Sequence, residues 1–377
     1  MDFWFRAIQK EMTNNRTAFQ FVKDGEQVPI GYKWICCHMI FDMKMDFTRK
    51  ARFVAGGHMT DPPESLTYSS MVSRDSVRIA FLLAALNDVD ITSTDIGNAY
   101  LNAFPREKVY TTAGPEFRAE FEGRPVLIVR ALNGLKSSGA AWCSHLANAL
   151  RQMGFASCLA DPDVWYHSAT KPCRYQYYEY VLVYVDDVLA LSHRGEIIMK
   201  GLEEFYRLKD GYHKPTLYLG AEVKEWVFPD QPTKHFWALS SSCYVKEAIR
   251  NVELKLPEQN LTLHKSKQPM ASSYHQELDI TPYLEQEEVT FYQRQISILR
   301  WMVELSCLDI YTPVTLLSSY LMQPRQGHLE AVYILFQHLK LTIDRQMSSI
   351  HHMWTGKTVI FLYMIGHFSI RELMKIY

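Results

Sequence analysis

The chain has 377 residues, of which 47% are hydrophobic and 21% are charged, a balance that excludes a disordered protein. Lysine and arginine number 40 against 41 aspartates and glutamates, which gives a formal net charge of −1. Any nucleic-acid contact therefore has to come from a local cluster of cations. The seven scattered cysteines include no Cys-x-x-Cys pair, which argues against a zinc site or disulfide framework and favours a reducing compartment.

The sequence carries no pattern typical of export or of a membrane segment. Its first six residues lack the basic segment and apolar core of a signal peptide. The longest apolar run near the end, residues 358–368, is too short to cross a bilayer. We expect a cytoplasmic or nuclear protein without a membrane partner.

The first predicted elements are a short amphipathic helix over residues 3–13 and strands over residues 32–41 and 49–58. In the second strand Lys50 and Arg52 alternate with other residues, which places both cations on one face. Two interpretations of this face remain open, a solvated strand edge protected by charge and a site for phosphate groups.

A mostly buried helix is predicted over residues 76–86, with Ser76 as its N-cap. The β-rich run that follows ends at Asp95, and Gly97 then permits a turn or a close backbone approach. A carboxylate at the end of a strand is typical of an active-site acid, but a lone one is also typical of a helix cap.

An apolar strand over residues 126–130 leads into a loop over residues 132–139 that combines glycine, serine and the cation Lys136. The loop precedes a helix predicted over residues 140–153, and such a loop can bind an anion. Because loops of this composition are common, the pattern by itself does not decide for an anion site.

Residues 178–191 carry the pattern around which the other elements are arranged. Two runs of β-branched, aromatic and aliphatic residues flank Asp186 and Asp187, which predicts a buried hairpin with both carboxylates at its tip. The tip lacks the glycine that most tight hairpin turns use. Adjacent anions between apolar strands are costly unless a cation binds there. The alternative is a plain aspartate-rich surface turn.

Beyond the hairpin the chain continues as helix and strand and then becomes helical. The predicted elements, in order, are a helix over residues 196–206, strands over residues 217–223 and 236–239, and helices over residues 292–307, 312–321 and 329–341. The intervening residues 257–290 are polar and contain prolines, which predicts a linker or long loop.

Asp95 and the pair Asp186 and Asp187 belong to separate predicted strands, and three carboxylates that meet on one sheet would suit two divalent cations. Oxygen ligands favour Mg²⁺ or Mn²⁺ over zinc. Two such ions about 3.5–4 Å apart can bind the attacking and leaving oxygens of a phosphoryl transfer. The cations at Lys50, Arg52 and Lys136 would then meet a triphosphate.

Several ordered segments are shared with one family. They are Lys50-Ala51-Arg52-Phe53-Val54, Asp95-Ile96-Gly97-Asn98-Ala99-Tyr100, Leu132-Asn133-Gly134-Leu135-Lys136, Tyr184-Val185-Asp186-Asp187 and Leu219-Gly220. In this order they resemble the reverse transcriptase domain of copia-type LTR retrotransposon polyproteins, over about residues 1–345. Asn133, where the family usually has tyrosine, and Ser137, where glutamine is common, depart from the pattern.

The resemblance implies an α+β right-hand polymerase fold, with fingers, a palm built on an antiparallel sheet backed by helices, and a thumb. Fingers and palm would occupy residues 1–256, the linker residues 257–290, and a helical thumb or connection-like region residues 291–345. Residues 346–377 resemble nothing in the family and are left as an unassigned tail.

The resemblance also implies the roles of individual residues. Asp95, Asp186 and Asp187 would be the catalytic acids and would hold two Mg²⁺ or Mn²⁺ ions. Lys50 and Arg52 would face the incoming triphosphate. The remaining expectations are that Tyr100 lies under the sugar and excludes a 2′-hydroxyl, and that the nucleotide pocket is lined by Asn133, Gly134 and Lys136. A plain core tyrosine is the alternative for Tyr100.

The expected activity is that of an RNA-directed DNA polymerase, with a primed RNA or DNA template and deoxynucleoside triphosphates as partners. A second hypothesis is a degraded or co-opted retroelement relic that retains nucleic-acid binding, since no RNase H, integrase or protease segment accompanies the polymerase motifs. A two-metal nuclease is disfavoured because no nuclease motif accompanies the acids.

Overall fold

The protein is described by a computed structural model over residues 2–43, 48–61, 67–228, 231–256, 263–305 and 307–353. It divides into two compact units, residues 1–214 and 215–377. Both units combine helices with antiparallel strands, which confirms the predicted mixture of helix and sheet. No helix within the described residues is long and apolar enough to cross a membrane.

The first unit contains four α-helices and twelve strands within the described residues. The helices are α1 (Asp2–Asn15), α2 (Arg74–Leu86), α3 (Ser138–Gln152) and α4 (Gly195–Glu203). The strands are β1 (Phe19–Phe21), β2 (Lys33–Trp34), β3 (Cys37–Met43), β4 (Arg49–Ala55), β5 (Asp90–Ile96), β6 (Val109–Thr112), β7 (Pro125–Ile128), β8 (Ala156–Ser157), β9 (Val164–Thr170), β10 (Gln176–Tyr184), β11 (Asp187–Ser192) and β12 (Leu208–His213).

The largest sheet of this unit is antiparallel and has the strand order β12-β5-β11-β10-β9-β8. Helices α3 and α4 pack on one face, where Trp142 and Met199 meet alternate residues of β10 and β11 such as Val183 and Val188. Leu182 and Leu189 point to the opposite face and are also fully buried. Because both faces are covered, residues 181–183 of β10 and 188–191 of β11 are all apolar.

Two smaller sheets complete the first unit. One has the order β1-β7-β6-β2 and the other is the hairpin of β3 and β4. They share a hydrophobic core built around Phe53, Ile35, Ile128 and Leu135, to which Phe117 adds edge-to-face contacts with Phe53. This core joins the strand that carries Lys50 and Arg52 to the loop over residues 132–139.

The second unit has a three-stranded antiparallel sheet and four α-helices within the described residues. They are β13 (Leu217–Tyr218), β14 (Ala221–Phe228), β15 (Gln231–Ser240), α5 (Ser242–Lys255), α6 (Gln286–Leu305), α7 (Tyr311–Ser318) and α8 (Gln326–Met353). Helix α5 contacts β14 and α8, and α6 contacts α7 and α8. The hydroxyl of Tyr292 in α6 donates to the carbonyl of Leu317 in α7 at 2.7 Å.

Several predicted elements differ from the structure, and helix α6 begins at Gln286, within the predicted linker over residues 257–290. The predicted strand over residues 32–41 is two strands, because the chain leaves β6 after Ile35 and joins β4 from Cys37 onward. The predicted strand over residues 217–223 is interrupted by Leu219 and Gly220, whose positive φ angles of 50° and 86° form a turn between β13 and β14. The predicted helix over residues 329–341 is longer, since α8 continues to Met353.

The predicted N-cap Ser76 is wrong by one turn of helix. Helix α2 begins at Arg74, and its N-cap is Ser73, whose backbone is extended and whose side chain accepts from the amide of Ser76 at 3.1 Å. Of the predicted tail over residues 346–377, residues 346–353 belong to α8 and residues 354–377 lie outside the described residues.

Candidate active site

The hairpin at the centre of the first unit carries the two adjacent acids. Tyr184 of β10 pairs with Asp187 of β11, so that Val185 and Asp186 alone form the turn. Val185 has a φ of 58°. A β-branched side chain rarely adopts this left-handed conformation, which is costly without glycine. Asp186 therefore lies within a strained turn, and Asp187 begins the next strand.

The third acid lies beside this turn on the neighbouring strand. Asp95 near the end of β5 is the direct cross-strand partner of Asp187. The amide of Ile96 donates to the carbonyl of Asp186 at 2.8 Å, which fixes the turn against β5. Carboxylates that are 91 positions apart in sequence are thus brought to the same end of one sheet by the register of two strands.

The pKa values of the paired acids reflect this crowding. Burial raises the pKa of Asp187 to about 6, and the negative charges of Asp186 and Asp95 act in the same direction. Burial and the charge of Asp95 also raise the pKa of Asp186, while the cations of Lys50 and Lys209 oppose the shift. The cluster therefore has an excess of negative charge that favours binding of a proton or a cation.

Lys209 on β12 is a member of this site that the sequence analysis missed. Its ammonium lies 2.9 Å from Oδ2 of Asp95, its cross-strand partner, and this hydrogen bond raises the pKa of Lys209. No strand was predicted over residues 208–213. In the sequence, apolar Leu208 is followed by polar Lys209, as in a half-buried strand, but this alternation covers too few residues to indicate a strand.

Within the part of the chain that the structure describes, no group of three or more histidine, cysteine, aspartate or glutamate side chains is already gathered as a metal site. The donor set of the acid cluster nevertheless fits a divalent cation. It consists of the carboxylate oxygens that Mg²⁺ and Mn²⁺ prefer, and the raised pKa values of Asp186 and Asp187 indicate uncompensated negative charge. Asp95, Asp186 and Asp187 are the residues that would hold such an ion.

Two predicted nucleotide-binding residues of the first unit, Lys50 and Tyr100, lie within electrostatic reach of the acids. Lys50 of β4 lowers the pKa of Asp186. Burial raises the pKa of Tyr100, with contributions from Cys143 and Asp186, and Arg52 opposes the shift. Tyr100 is partly buried and packs against the core beneath α3. Lys50 and Tyr100 therefore lie near Asp186, and Arg52 lies near Tyr100.

The loop over residues 132–139 packs against the end of β4 through its backbone. The amide of Ala55 donates to the carbonyl of Asn133 at 2.8 Å. Gly134 has a φ of 92°, and a Cβ atom there would lie 2.1 Å from the carbonyl oxygen of Ala55. A Cβ atom at Gly57 would lie equally close to the carbonyl oxygen of Gly134. Glycine is therefore needed where the two backbones touch.

Lys136 is not grouped with the acids by any described contact. Its ammonium donates to the backbone carbonyl of Thr60 at 2.5 Å, which ties the loop to the segment after β4. Ser137 is fully buried, and both its amide and its hydroxyl donate to the carboxylate of Glu107. These contacts give the loop a fixed shape. The roles expected for Asn133, Gly134 and Lys136 in a nucleotide pocket stay predictions.

Comparison with known proteins identifies the family. The sequence profile described as reverse transcriptase (RNA-dependent DNA polymerase) matches residues 16–254, which is more than half of the chain. The chain belongs to this reverse transcriptase family. The predicted membership in the copia-type group is confirmed by its relatives, which are transposon proteins of the same kind.

Three of these relatives come from a plant and from yeast. The Retrovirus-related Pol polyprotein from transposon RE1 of Arabidopsis thaliana is 26% identical over 77% of this chain. The putative transposon Ty5-1 protein of Saccharomyces cerevisiae is 26% identical over 66% of this chain, and the transposon Ty1-DR4 Gag-Pol polyprotein of the same yeast is 25% identical over 82%. The match covers 75% of the Ty5-1 protein but only 19% of each of the two polyproteins.

Proposed function

We propose that this chain is an RNA-directed DNA polymerase, which transfers a nucleotide from a deoxynucleoside triphosphate to the 3′-hydroxyl of a primer on an RNA or DNA template. The observation that carries the proposal is the pairing of Asp187 with Asp95 beside the strained turn that contains Asp186. Membership in the reverse transcriptase family supports the proposal at a coarser level.

In this proposal Asp95, Asp186 and Asp187 are the catalytic residues and hold two Mg²⁺ or Mn²⁺ ions. Such ions, when bound, supply positive charge to the attacking and leaving oxygens of the transfer. The three carboxylates determine where that charge lies, because β5 and β11 fix their backbones in register. Lys209 donates to Asp95 and thereby orients one of the proposed ligands.

The proposed nucleotide site lies on the side of the acids where the cations and Tyr100 are found. Lys50 and Arg52 would neutralise the triphosphate, since their charges already act on Asp186 and Tyr100. Tyr100 would exclude a 2′-hydroxyl by its ring. Asn133 and Gly134 would line the pocket through a loop held against β4, and Lys136 would support that loop through Thr60.

The proposed right-hand architecture assigns the sheets to subdomains. The six-stranded sheet with α3 and α4 would be the palm, and the sheets containing β1–β4, β6 and β7 would be the fingers. The helices from α6 onward, within residues 291–345, would form the thumb or connection-like region. Residues 257–290, of which 263–285 contain no α-helix or named strand in the described part, would be the linker.

Primer extension tests the proposed function directly. The protein is incubated with a primed homopolymer RNA, the complementary deoxynucleoside triphosphate and Mg²⁺ or Mn²⁺. We expect extension by the wild type and its loss in Asp186→Asn, which keeps the size of the side chain but removes its charge. Asp90→Asn makes the same change at the exposed opposite end of β5 and should retain activity. Undiminished extension by Asp186→Asn would rule out this site.

A retroelement relic that only binds nucleic acid is the alternative, and the same preparation distinguishes it. Such a protein would bind a labelled primer–template duplex without extending it in either metal. In that case Asp186→Asn and the wild type would show the same lack of extension, because the wild type itself is not a polymerase. Extension by the wild type above that of Asp186→Asn excludes the relic.

A further inference from the structure

The turn between β10 and β11 adopts a backbone conformation that its sequence does not favour. Val185 is β-branched and has a φ of 58°, and the turn contains no glycine that would relieve the cost. A conformation of this kind persists only where surrounding contacts determine it. The amide of Ile96 holds the turn from the side of β5, through the carbonyl of Asp186.

A second contact holds the turn from the helix side. The indole Nε1 of Trp142 in α3 donates to the carbonyl oxygen of Val185 at 2.8 Å. Trp142 is 1% exposed, and its ring belongs to the core between α3 and the sheet. The carbonyl of Val185 is part of the peptide that links Val185 to Asp186, so its direction also sets the direction in which Asp186 leaves the turn.

The ring of Trp142 is itself fixed by its neighbours. It contacts the ring of Tyr206 edge to face at 5.3 Å and stacks on His145 at 6.3 Å. Nδ1 of His145 and the hydroxyl of Tyr206 are 2.8 Å apart, which joins these two neighbours to each other. A buried ring in such a cluster has little freedom to follow a change of the turn.

We propose that Trp142 is a positioning residue for Asp186, because its indole N–H holds the peptide between Val185 and Asp186 in the orientation that aims the Asp186 carboxylate at its site. The effect on catalysis rests on the proposed polymerase function. The hydrogen bond and its effect on the turn do not rest on that function, and they can be measured whether or not the protein is an active polymerase.

A selective labelling experiment observes the peptide itself. The chain contains two Val-Asp pairs, Val89-Asp90 and Val185-Asp186. Protein labelled with 1-¹³C-valine and ¹⁵N-aspartate therefore gives two carbonyl-coupled amide signals, from Asp90 and Asp186. We expect Trp142→Phe, which removes the N–H donor, to move the Asp186 signal and to leave the Asp90 signal in place.

Two further variants separate the hydrogen bond from core packing. Trp165→Phe makes the same change at another buried tryptophan of this core, and the Asp186 signal should stay in place. Replacement of Trp142 by β-(3-benzothienyl)alanine keeps the shape of the indole without its N–H. This replacement keeps the protein folded if Trp142→Phe does not, and it should move the Asp186 signal. An unmoved Asp186 signal in this isosteric variant overturns the proposal.

The functional consequence is measured with the same variants. We expect kcat of primer extension to fall about tenfold or more when the indole N–H is removed, because small misplacements of reacting groups are costly. The KM for the deoxynucleotide should change by less than about twofold, since the nucleotide contacts are not altered. Mn²⁺ affinity, followed by electron paramagnetic resonance, should weaken in the Trp142 variants and not in Trp165→Phe.

The outcomes distinguish this inference from the proposed function. A moved Asp186 signal with unchanged kcat and Mn²⁺ affinity overturns the positioning role while the polymerase function stands. The polymerase function is overturned if the wild type does not extend a primer and if Asp186→Asn binds Mn²⁺ as tightly as the wild type does. The positioning role for catalysis then falls with it, and the Asp186 signal reports only whether Trp142 holds the turn.

Discussion

The ammonium of Lys209 lies 2.9 Å from Oδ2 of Asp95, on the adjacent strand of the same sheet. The two residues are direct cross-strand partners, so the contact follows from the register of β12 against β5. Asp95 is also the cross-strand partner of Asp187 on its other side. One carboxylate therefore lies between a cation and two further anions, and its environment controls how much positive charge the cluster still attracts.

Lys209→Met is expected to increase the response of the protein to divalent cations. Its side chain is 61% exposed, so the lost ion pair should cost only about 0.2–1 kcal/mol in EDTA-treated protein. The three carboxylates then repel each other more strongly, and Mg²⁺ should raise the melting temperature by more than it does in the wild type.

Lys224→Met is the matched control. It removes a 2.9 Å ion pair between Lys224 and Glu222 in the second unit, and the Lys224 side chain is 60% exposed. Its Mg²⁺ response should equal that of the wild type. An equal response of Lys209→Met and the wild type, by differential scanning calorimetry, would contradict the prediction.

The pH dependence of stability should reveal the raised pKa of Asp187, which is about 6 in the folded protein. A carboxyl whose pKa is raised on folding contributes stability that is fully present below its unfolded pKa of about 4 and is lost as pH rises through about 6. We expect a contribution of about 1–2 kcal/mol, allowing for solvent screening of a partly exposed group.

Asp187→Asn removes this titration, so the difference in unfolding free energy between wild type and variant should shift in favour of the variant from pH 4 to pH 7. Urea unfolding in EDTA at several pH values measures that difference. Added Mg²⁺ should reduce the shift in the wild type, because a bound cation stabilises the ionised form. A difference that does not vary with pH would rule out the raised pKa.

The hairpin at Asp186 and the strand of Asp95 are predictable from the sequence, because both lie in runs rich in β-branched and apolar residues whose pattern is local. Lys209 was not predicted, because β12 is a short edge strand with an exposed, polar pattern and the partner of Lys209 is 114 positions away. The N-cap of α2 was predicted at Ser76. Ser73 and Ser76 have equal capping chemistry, and only the backbone conformation of Ser73 decides between them.

The loop over residues 132–139 illustrates a different limit. Its composition is compatible with an anion site but does not decide for one, and the expected nucleotide-pocket role of Gly134 and Lys136 comes from the family resemblance. The structure uses Gly134 for a backbone-to-backbone contact with Ala55, and Lys136 for a hydrogen bond to Thr60. A glycine in the sequence indicates that another group can approach the backbone closely, but tertiary packing determines whether that group is a ligand or another part of the chain.

Nucleic-acid binding should depend on salt and on the cations of β4. Because phosphate contacts release counterions, we expect the affinity for a primer–template duplex to fall as salt rises. The double variant Lys50→Gln/Arg52→Gln should lower the slope of log affinity against log salt by up to about 2. Lys23→Gln/Arg118→Gln removes two exposed cations elsewhere in the first unit and serves as the control. Equal slopes for the two double variants would contradict a phosphate role for β4.

Tyr100 is expected to select against ribonucleotides. Tyr100→Ala should raise the incorporation of ribo- over deoxynucleoside triphosphates by about tenfold or more, because an unhindered pocket no longer crowds the 2′-hydroxyl. Tyr100→Phe keeps the ring and should keep the selectivity. The ratio is measured by competition on one primed template. An unchanged ratio in an active Tyr100→Ala protein would exclude the gate, and loss of folding in Tyr100→Ala alone would favour the core interpretation.

Two glycines with similar positive φ angles should respond differently to replacement by alanine. Gly134 and Gly123 have φ angles of 92° and 81°. A Cβ atom at Gly123 would have no neighbour within 4 Å, whereas one at Gly134 would lie 2.1 Å from the carbonyl oxygen of Ala55 and 2.6 Å from the side chain of Val54. Gly123→Ala should therefore cost only the backbone strain, about 1–2 kcal/mol.

In Gly134→Ala the new Cβ atom would also collide with the carbonyl oxygen of Ala55. We therefore expect the free energy of unfolding in urea to fall by about 3 kcal/mol or more. The loop would have to move away from β4, which breaks the hydrogen bond from Ala55 to Asn133. If the loop lines the nucleotide pocket, the KM for deoxynucleotide should rise in Gly134→Ala and not in Gly123→Ala. Equal losses of unfolding free energy in the two variants would contradict this prediction, because they would show that the loop moves away from β4 at no further energetic cost.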